Sequence, residues 1–326
     1  MSREECRRSF LKKSILAPVA VWQASRSAGA FPAESGGGFP TGRIGNLQIS
    51  RIFLGCNQVS GYAHCRDLKY LSALMRSYQS DDRILGTLEA CERNGINTVL
   101  SDPFEKPVRL IQRYRKERGG KIQWISECHP QKPPAQMTLA DLKADVMQVI
   151  DNGANAIYVQ GAIGDYMVQH NKIEILAEIV TLIRKNGLPA GIGSHSIEVP
   201  KAMLKAGIDP DFYMKTFHPD DYWSATPRDK RVEFNVDSGS ADDYDNIWDI
   251  NPTETASVMK QVKKPWIAFK VLAAGAVHPS KGFRYAFANG ADFICVGMFD
   301  FQVPENAAIA REILAANLGR ERPWCA

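Results

Sequence analysis

The sequence predicts an α/β protein whose residues 43–326 fold as one (β/α)8 barrel, and three observations predict it. Eight short apolar segments recur, a polar loop and an amphipathic segment follow them, and several repeats end in Asn-Gly or Ala-Gly. Continuous apolarity is typical of parallel strands that helices cover on both faces. Eight such repeats in about 280 residues favour a closed TIM barrel over an open sheet.

The apolar segments give the expected strands, which are 49–54, 96–100, 122–126, 156–160, 189–193, 211–216, 266–271 and 292–297. The amphipathic segments give expected helices at 83–93, 107–117, 139–151, 172–185, 253–262 and 304–317. Glycine after these helices fits the left-handed backbone conformation with which many helices end. A further short helix is expected near 279–288.

The first thirty residues have the layout of an export signal. Arg7 and Arg8 open a Ser-Phe-Leu-Lys motif, a modestly apolar run covers 15–24, and Ala-Gly-Ala at 28–30 provides small residues for cleavage. This order resembles a twin-arginine signal peptide, which implies recognition by the twin-arginine translocase and a periplasmic or extracellular protein. The run is too short to span a bilayer permanently. Residues 31–42, rich in glycine and proline, predict a linker.

Charge and cysteine content exclude some classes of partner. Six basic and two acidic residues leave with the signal, so the formal net charge falls from +4 to zero. A neutral domain has no electrostatic surface for nucleic acid or anionic lipid. The cysteines contain no C-x-x-C pair, so a zinc ribbon is not indicated. A disulfide between Cys56 and Cys65 stays open, because twin-arginine substrates fold in a reducing cytosol.

Two long loops, 56–80 and 217–251, follow the first and sixth predicted strands. The first contains His64 and Arg66, and the second contains Tyr222, Trp223 and Trp248 among several aspartates. Aromatic rings stack on the C–H faces of a sugar, and carboxylates bind its hydroxyl groups. We therefore expect a sugar-like substrate and a lid formed by 217–251. A loop that only covers the barrel mouth is the alternative.

All six histidines lie at or beyond predicted strand ends, at positions 64, 129, 170, 195, 218 and 278. The carboxyl ends of the strands form the catalytic rim of a (β/α)8 barrel, so we expect a titratable mouth. A carboxylate with imidazoles can also bind zinc, manganese or iron. A divalent metal held by Glu127, His129, His195 and His218 is therefore one alternative.

Two lysines end apolar strands: Lys215 the sixth and Lys270 the seventh. A lysine in such a strand must pair with a carboxylate or lose its charge. Two close ammonium groups lower one another's pKa, which yields a neutral amine able to attack a carbonyl. Paired structural lysines are the alternative.

These lysines, with Thr216 and the Ala-Ala-Gly sequence at 273–275, resemble the class I aldolases of the deoxyribose-phosphate type. That resemblance implies Schiff-base catalysis without a bound cofactor. The acid that the family carries on its third strand has no obvious equivalent here, and Glu127 is the nearest candidate. Small residues around Gly275 and Gly297 also look like the barrel phosphate site, where backbone N–H groups bind an anion. Small residues that only form tight turns, with no bound anion, are the alternative.

Residues 43–55 resemble the opening of the aldo/keto reductases. The resemblance implies an NAD(P) cofactor, and it places Asp102 at the aspartate that the family carries on its second strand. The family's catalytic lysine and histidine positions are occupied here by Ser126 or Glu127 and by Gln160. The resemblance therefore supports the fold more than carbonyl reduction.

The sequence as a whole predicts an exported barrel enzyme that acts on a carbohydrate-like carbonyl or polyol by lyase or isomerase chemistry. The expected catalytic residues are Lys215, Lys270, Glu127, His195, His218 and Asp102. The expected substrate-binding residues are His64, Arg66, His129, Gln160, Tyr222, Trp223, Trp248, Gly275 and Gly297. The alternatives are an NAD(P)-dependent oxidoreductase, a metal-dependent sugar enzyme and a non-catalytic sugar-binding barrel.

The export signal gives a first testable prediction. Replacing Arg7 and Arg8 by lysine should leave the protein in the cytosol, because lysine lacks the planar guanidinium group that the translocase recognises. Cell fractionation and immunoblotting measure the distribution. Normal periplasmic yield of the double variant would contradict the assignment.

Overall fold

The computed structural model describes residues 38–65, 68, 70–235, 237 and 247–326. The signal peptide, residues 31–37 of the linker and Arg66 lie outside these residues. One compact unit runs from Gly38 to Ala326, and its first strand begins at Thr41. The last residues of the expected linker therefore belong to the folded domain.

Eight parallel strands close into a barrel in which each strand pairs with the next one along the chain and the last pairs with the first. All eight expected strands are present, and the (β/α)8 fold class is confirmed. The barrel strands are β3 (Ile52–Gly55), β4 (Thr98–Ser101), β5 (Gln123–Cys128), β6 (Ala156–Val159), β7 (Ala190–Ser194), β8 (Phe212–Thr216), β9 (Trp266–Phe269) and β10 (Phe293–Gly297). Most of their side chains are buried, as parallel strands between helices require.

The helices of the described residues surround this barrel. They are α1 (Asn57–Ser60), α2 (Tyr70–Tyr78), α3 (Asp81–Arg93), α4 (Glu105–Arg118), α5 (Leu139–Asp151), α6 (Gly161–Gln169), α7 (Ile173–Lys185), α8 (Glu198–Ala206), α9 (Pro252–Met259), α10 (Pro279–Ala288) and α11 (Val303–Ala315). Among these helices, none combines the length and the apolar character that a membrane crossing requires.

Local sequence accounts for individual helices. Thr138 and Asp141 cap the start of α5 reciprocally, each side chain bonding the backbone N–H of the other. The buried positions 176, 179, 180 and 183 of α7 repeat with the period of one helical face. Gly207 ends α8 with a φ of 67°, as expected of a helix that stops at glycine. The helices predicted from the sequence did not include α1, α2, α6 and α8.

An antiparallel hairpin of β1 (Thr41–Ile44) and β2 (Leu47–Ser50) precedes the barrel. The single strand predicted at 49–54 corresponds to parts of two strands, β2 and β3. Arg51 separates them, but it is itself buried and does not interrupt the run of buried residues. Its guanidinium donates to the carbonyl oxygens of Asp292 (3.0 Å) and Ala326 (2.8 Å) and stacks on Trp324. Arg51 therefore links the start of the barrel to the carboxyl-terminal segment.

The segment after α11 is fixed by a second buried arginine. Arg322 pairs with Asp292 at 2.6 Å and donates to the carbonyl oxygens of Met259 and Gly290. Those carbonyls lie at the end of α9 and just beyond α10, where unpaired C=O groups favour a cation. The parallel strands thus have the arginine-bound segment at their amino ends and their long loops at the carboxyl ends.

Candidate functional site

A cavity of about 580 Å³ lies at the carboxyl ends of the barrel strands. Its size is typical of a small-molecule site. The following sequence-predicted residues line it: Asp102, Glu127, Lys270, His64, His129, Gln160, His195, Trp248, Gly275 and Gly297. The closed barrel has brought together residues that are up to 233 positions apart, because parallel strands all end at one rim.

Asp102 follows β4 and forms an acidic part of the wall. Its Oδ2 accepts a hydrogen bond from the hydroxyl of Ser60 at 2.5 Å, and its Oδ1 accepts the backbone N–H of Phe104 at 3.2 Å. Burial raises the pKa of the Asp102 carboxyl, although the bond from Ser60 opposes this rise. Asp102 is therefore better able to hold a proton near neutrality than an exposed aspartate.

Glu127 on β5 connects two other polar side chains. Its Oε1 accepts the hydroxyl of Tyr158 at 2.7 Å, and its Oε2 lies 3.0 Å from Nδ1 of His129. Burial alone would lower the pKa of His129, but the hydrogen bond and the charge of Glu127 outweigh burial and raise it. The wall near β5 thus holds a tyrosine, a carboxylate and a readily protonated imidazole in one chain of contacts.

His195 follows β7 and has the opposite character. Its side chain is buried among the rings of Phe234, Trp248 and Phe269, with centroid distances of 4.4, 5.3 and 5.5 Å. Its Nδ1 lies 2.9 Å from the carboxylate of Asp165. Burial, followed by the charges of Lys270 and Lys215, lowers the pKa of His195 well below its ordinary value. The ring is therefore neutral at pH 7 and can accept a proton.

Lys270 stands on the cavity wall in an unusual backbone conformation. Its φ is 57°, and Ala273 and Ala274 also have positive φ values, of 44° and 53°. L-residues rarely adopt this region, and such strain is frequent at ligand sites. The Nζ of Lys270 lies 3.7 Å from the centre of the Trp248 ring, which attracts a cation through its π face.

Lys215 does not line the cavity, although β8 and β9 are neighbours as expected. Its side chain is 1% exposed, and its Nζ lies 3.8 Å from Asp249 and donates to both oxygens of Thr216. Lys215 pairs with Ala268 in the register, whereas Lys270 lies beyond the end of β9. The two lysines therefore have different surroundings, and of the two only Lys270 lines the cavity.

His218 is also buried outside the cavity. Its Nε2 accepts the backbone N–H groups of Trp248 and Asp249 at 3.0 and 3.1 Å, and its Nδ1 lies 2.9 Å from the carbonyl oxygen of Pro219. Both ring nitrogens are thus used to fix the end of the long loop. In this structure His218 therefore binds the backbone of the long loop and does not line the cavity.

The four residues considered as metal ligands do not converge. Glu127 and His129 are in contact, but the Nδ1 of His195 is bound to Asp165 and His218 holds the backbone. Within the described part of the chain, no three histidine, cysteine or acidic side chains are placed so that they can hold a metal ion.

Several other predicted residues have structural partners. Gln160 caps α6, its side-chain oxygen accepting the backbone N–H groups of Ala162 and Ile163. Cys56 and Cys65 both line the cavity as free thiols. His170 pairs with Asp237, and His278 caps α10, so neither belongs to the cavity wall.

The long loop contributes to the site differently from the expectation. Trp248 is buried against His64 and His195, but Trp223 is 95% exposed, and neither Trp223 nor Tyr222 lines the cavity. Phe234, which was not predicted, covers His195 from the same loop. A phenylalanine in a polar loop carries no sequence signal of its own, so only the folded loop identifies it.

Sequence reasoning also missed Asp165 and Tyr158. Asp165 lies on α6, away in the sequence from the predicted strand ends, and Tyr158 lies within an apolar strand. A buried aspartate in a helix followed 30 positions later by a histidine has no recognisable spacing. Their partners could be found only once β5, β6 and β7 were paired.

The fold is similar to that of aldo-keto reductases. A Pseudomonas aeruginosa protein assigned to these enzymes aligns with a TM-score of 0.58 and 14% identity over 84% of this chain and 95% of that one. An aldo-keto reductase from Bacillus halodurans, in its holo form, gives 0.54 and 12% over 88% and 100%. A variant of Gox0644 in complex with NADPH gives 0.52 and 10% over 86% and 89%.

At these identities the similarity shows the (β/α)8 fold alone. No protein-family model matches the chain, and none of the curated proteins matches it either. What the site does must therefore be argued from its own residues.

The two loop tryptophans give a second prediction. Trp248→Ala should lower the free energy of unfolding by about 3 kcal/mol, because it removes a buried ring. Trp223→Ala should change it by less than about 0.5 kcal/mol, since that ring is in solvent. Urea unfolding measures both. Equal effects of the two substitutions would contradict the described packing of the loop.

The buried Lys215–Asp249 pair gives a third prediction. Lys215→Met should destabilise the protein by about 3 kcal/mol, because it leaves a buried carboxylate without its cation. Lys215→Met combined with Asp249→Leu should recover much of that loss. The exposed Lys260→Met is the control in the same unfolding assay. A single variant as stable as this control would show that the pair is not required.

Proposed function

We propose that this chain is an enzyme that acts on a small carbohydrate-like carbonyl or polyol compound in the barrel cavity. The observation that carries the proposal is that one cavity is lined by ionisable groups whose pKa values are shifted in opposite directions. The pKa of His195 is lowered, whereas the pKa values of Asp102 and His129 are raised. One group can therefore accept a proton at a pH at which another can donate one.

The arrangement supports lyase or isomerase chemistry. The neutral His195 would remove a proton from a carbon or hydroxyl group beside a carbonyl. The cationic end of Lys270 would stabilise the negative charge that develops on the carbonyl oxygen, or its amine would form a Schiff base with that carbonyl. Asp102 or His129 would return the proton. Of the two lysines, Lys270 is the one that the cavity exposes to a substrate.

The wall composition supports a sugar-sized compound. Phe104, Phe234, Trp248 and Phe269 provide aromatic faces, while Asn57, Gln58 and Gln160 provide amide groups. Rings pack against C–H groups and the polar side chains bind hydroxyl groups, as binding of a polyol requires. A volume of about 580 Å³ leaves space for a compound of this size.

An NAD(P)-dependent oxidoreductase is the second candidate, and the observation in its favour is the fold shared with aldo-keto reductases. Bound NADPH belongs to the Gox0644 variant. In this chain the residues at the family's proton-relay positions are otherwise engaged: Glu127 with Tyr158 and His129, and Gln160 with the start of α6. Hydride transfer is for this reason the less favoured reaction.

We also propose that the enzyme works outside the cytoplasm. Its support is the twin-arginine pattern of residues 1–30, with Arg7 and Arg8 ahead of an apolar run. Neutral charge after cleavage is compatible with a small-molecule substrate and does not favour nucleic acid.

A screen of aldoses, ketoses and their phosphates, followed by NMR, tests the proposed reaction. Once a substrate is found, Lys270→Met should lower kcat by about 100-fold or more, because it removes the charge that faces the carbonyl. Lys260→Met, an exposed lysine, should retain normal turnover. Borohydride trapping with substrate then separates the Schiff-base role from the electrostatic one.

Two other results would contradict the proposal. NADPH-dependent reduction of a carbonyl, with Lys270→Met as active as Lys260→Met, would replace the proposal by the oxidoreductase. Saturable sugar binding without conversion, in a screen that includes both reduced and oxidised cofactors, would replace it by a binding protein.

A further inference from the structure

We infer that Asp165 is the positioning residue that holds His195 with its ring proton on Nδ1 and its Nε2 available to the cavity. The inference rests on the proposed function, because it describes how His195 is prepared to act as a base. Asp165 lies on α6, is fully buried and does not line the cavity. It therefore acts through His195 and does not contact a substrate.

The contacts of Asp165 all lie at the end of β7. Its Oδ1 accepts the backbone N–H groups of His195 (3.1 Å) and Ser196 (3.0 Å). Its Oδ2 lies 3.0 Å from the backbone nitrogen of His195 and 2.9 Å from the ring Nδ1. One carboxylate thus fixes both the backbone and the ring of the same histidine.

The chemistry of these contacts selects one tautomer. An ionised carboxylate only accepts hydrogen bonds, so Nδ1 must carry the proton that it donates to Asp165. A neutral imidazole has a single ring proton, and Nε2 is then left with its lone pair. Among the described residues, none forms a hydrogen bond with Nε2, and the ring faces the cavity.

Two glycines let α6 approach closely enough for this contact. A Cβ at Gly161 would lie 3.0 Å from Cε1 of His195, and a Cβ at Gly164 would lie 2.2 Å from the carbonyl oxygen of Gly193. Larger residues would push α6 away from β7. Gly161 and Gly164 therefore allow the close packing that brings Asp165 to the His195 ring.

The charge state of Asp165 sets the pH range in which this tautomer is held. Burial raises the pKa of its carboxyl to about 7, while the backbone N–H groups and Lys215 favour the ionised form. The ionisable groups that face it are His195, Lys215 and Glu233. Above pH 7 the carboxylate is ionised and holds the Nδ1–H tautomer. Below pH 7 a protonated carboxyl can itself donate to Nδ1, which moves the ring proton to Nε2 and removes the base.

The tautomer can be measured directly and without a substrate. Full-length protein labelled with 15N-histidine is studied at pH 8 by long-range 1H–15N correlation, and His195→Gln assigns the signals of His195. The wild-type protein should show a protonated Nδ1 and an unprotonated Nε2. In Asp165→Asn an amide NH2 group can face Nδ1, so the signals should change to those of a protonated Nε2. A wild-type His195 protonated on Nε2 would overturn the inference, even if Asp165→Asn failed to fold.

Asp145→Asn is the matched control. Asp145 also accepts the backbone N–H of a histidine, from His129 at 2.7 Å, but makes no hydrogen bond to the His195 ring. It should leave the tautomer of His195 unchanged. A folded Asp165→Asn whose His195 signals equal those of the control would also overturn the inference.

With a substrate in hand, kinetics separate this inference from the proposed function. Asp165→Asn should lower kcat at least 10-fold with KM within about threefold, because orientation of the base is lost and not the binding wall. If the tautomer changes as expected but turnover and its pH profile do not change, Asp165 positions His195 as inferred, but His195 is not the base of the reaction.

Discussion

Closure of eight parallel strands is the constraint on which the rest of the molecule depends. Because every barrel strand ends at the same rim, Asp102, Glu127, His195 and Lys270 line one cavity, although they come from β5 and from the segments after β4, β7 and β9. At the opposite ends of the strands, Arg51 and Arg322 bind the carboxyl-terminal segment to Asp292 and to helix carbonyls.

Burial has opposite consequences for the side chains at this rim. It disfavours the charged form of each group, which lowers the pKa of His195 and raises that of Asp102. A neighbouring charge reverses the effect at His129, where Glu127 favours the imidazolium. The long loop contributes by covering His195 with Phe234 and Trp248, and His218 fixes that loop through its backbone. The surroundings of each side chain, and not its residue type, therefore decide whether it is suited to donate or to accept a proton.

The sequence predicted the barrel well because periodic apolarity reports burial directly. All eight strands, and the likeness of the fold to aldo-keto reductases, were predicted, whereas β2 and β3 were merged because Arg51 is itself buried. The site was harder. Lys215 and Lys270 look alike in sequence, yet one is paired with Asp249 inside the protein and the other faces the cavity. No sequence pattern indicated Asp165, because its partner His195 lies after β7 and reaches it only where α6 packs against that strand. The resemblance to class I aldolases remains a prediction.

The central claim is that the pKa values of two histidines that line one cavity, His195 and His129, are shifted in opposite directions. An NMR pH titration of the ring C–H signals of the full-length protein, assigned with His195→Gln and His129→Gln, tests it most directly. The account predicts a midpoint for His195 well below that of histidine in an unfolded peptide and a midpoint for His129 above it. Two midpoints at the ordinary value, or the reverse order, would contradict the account.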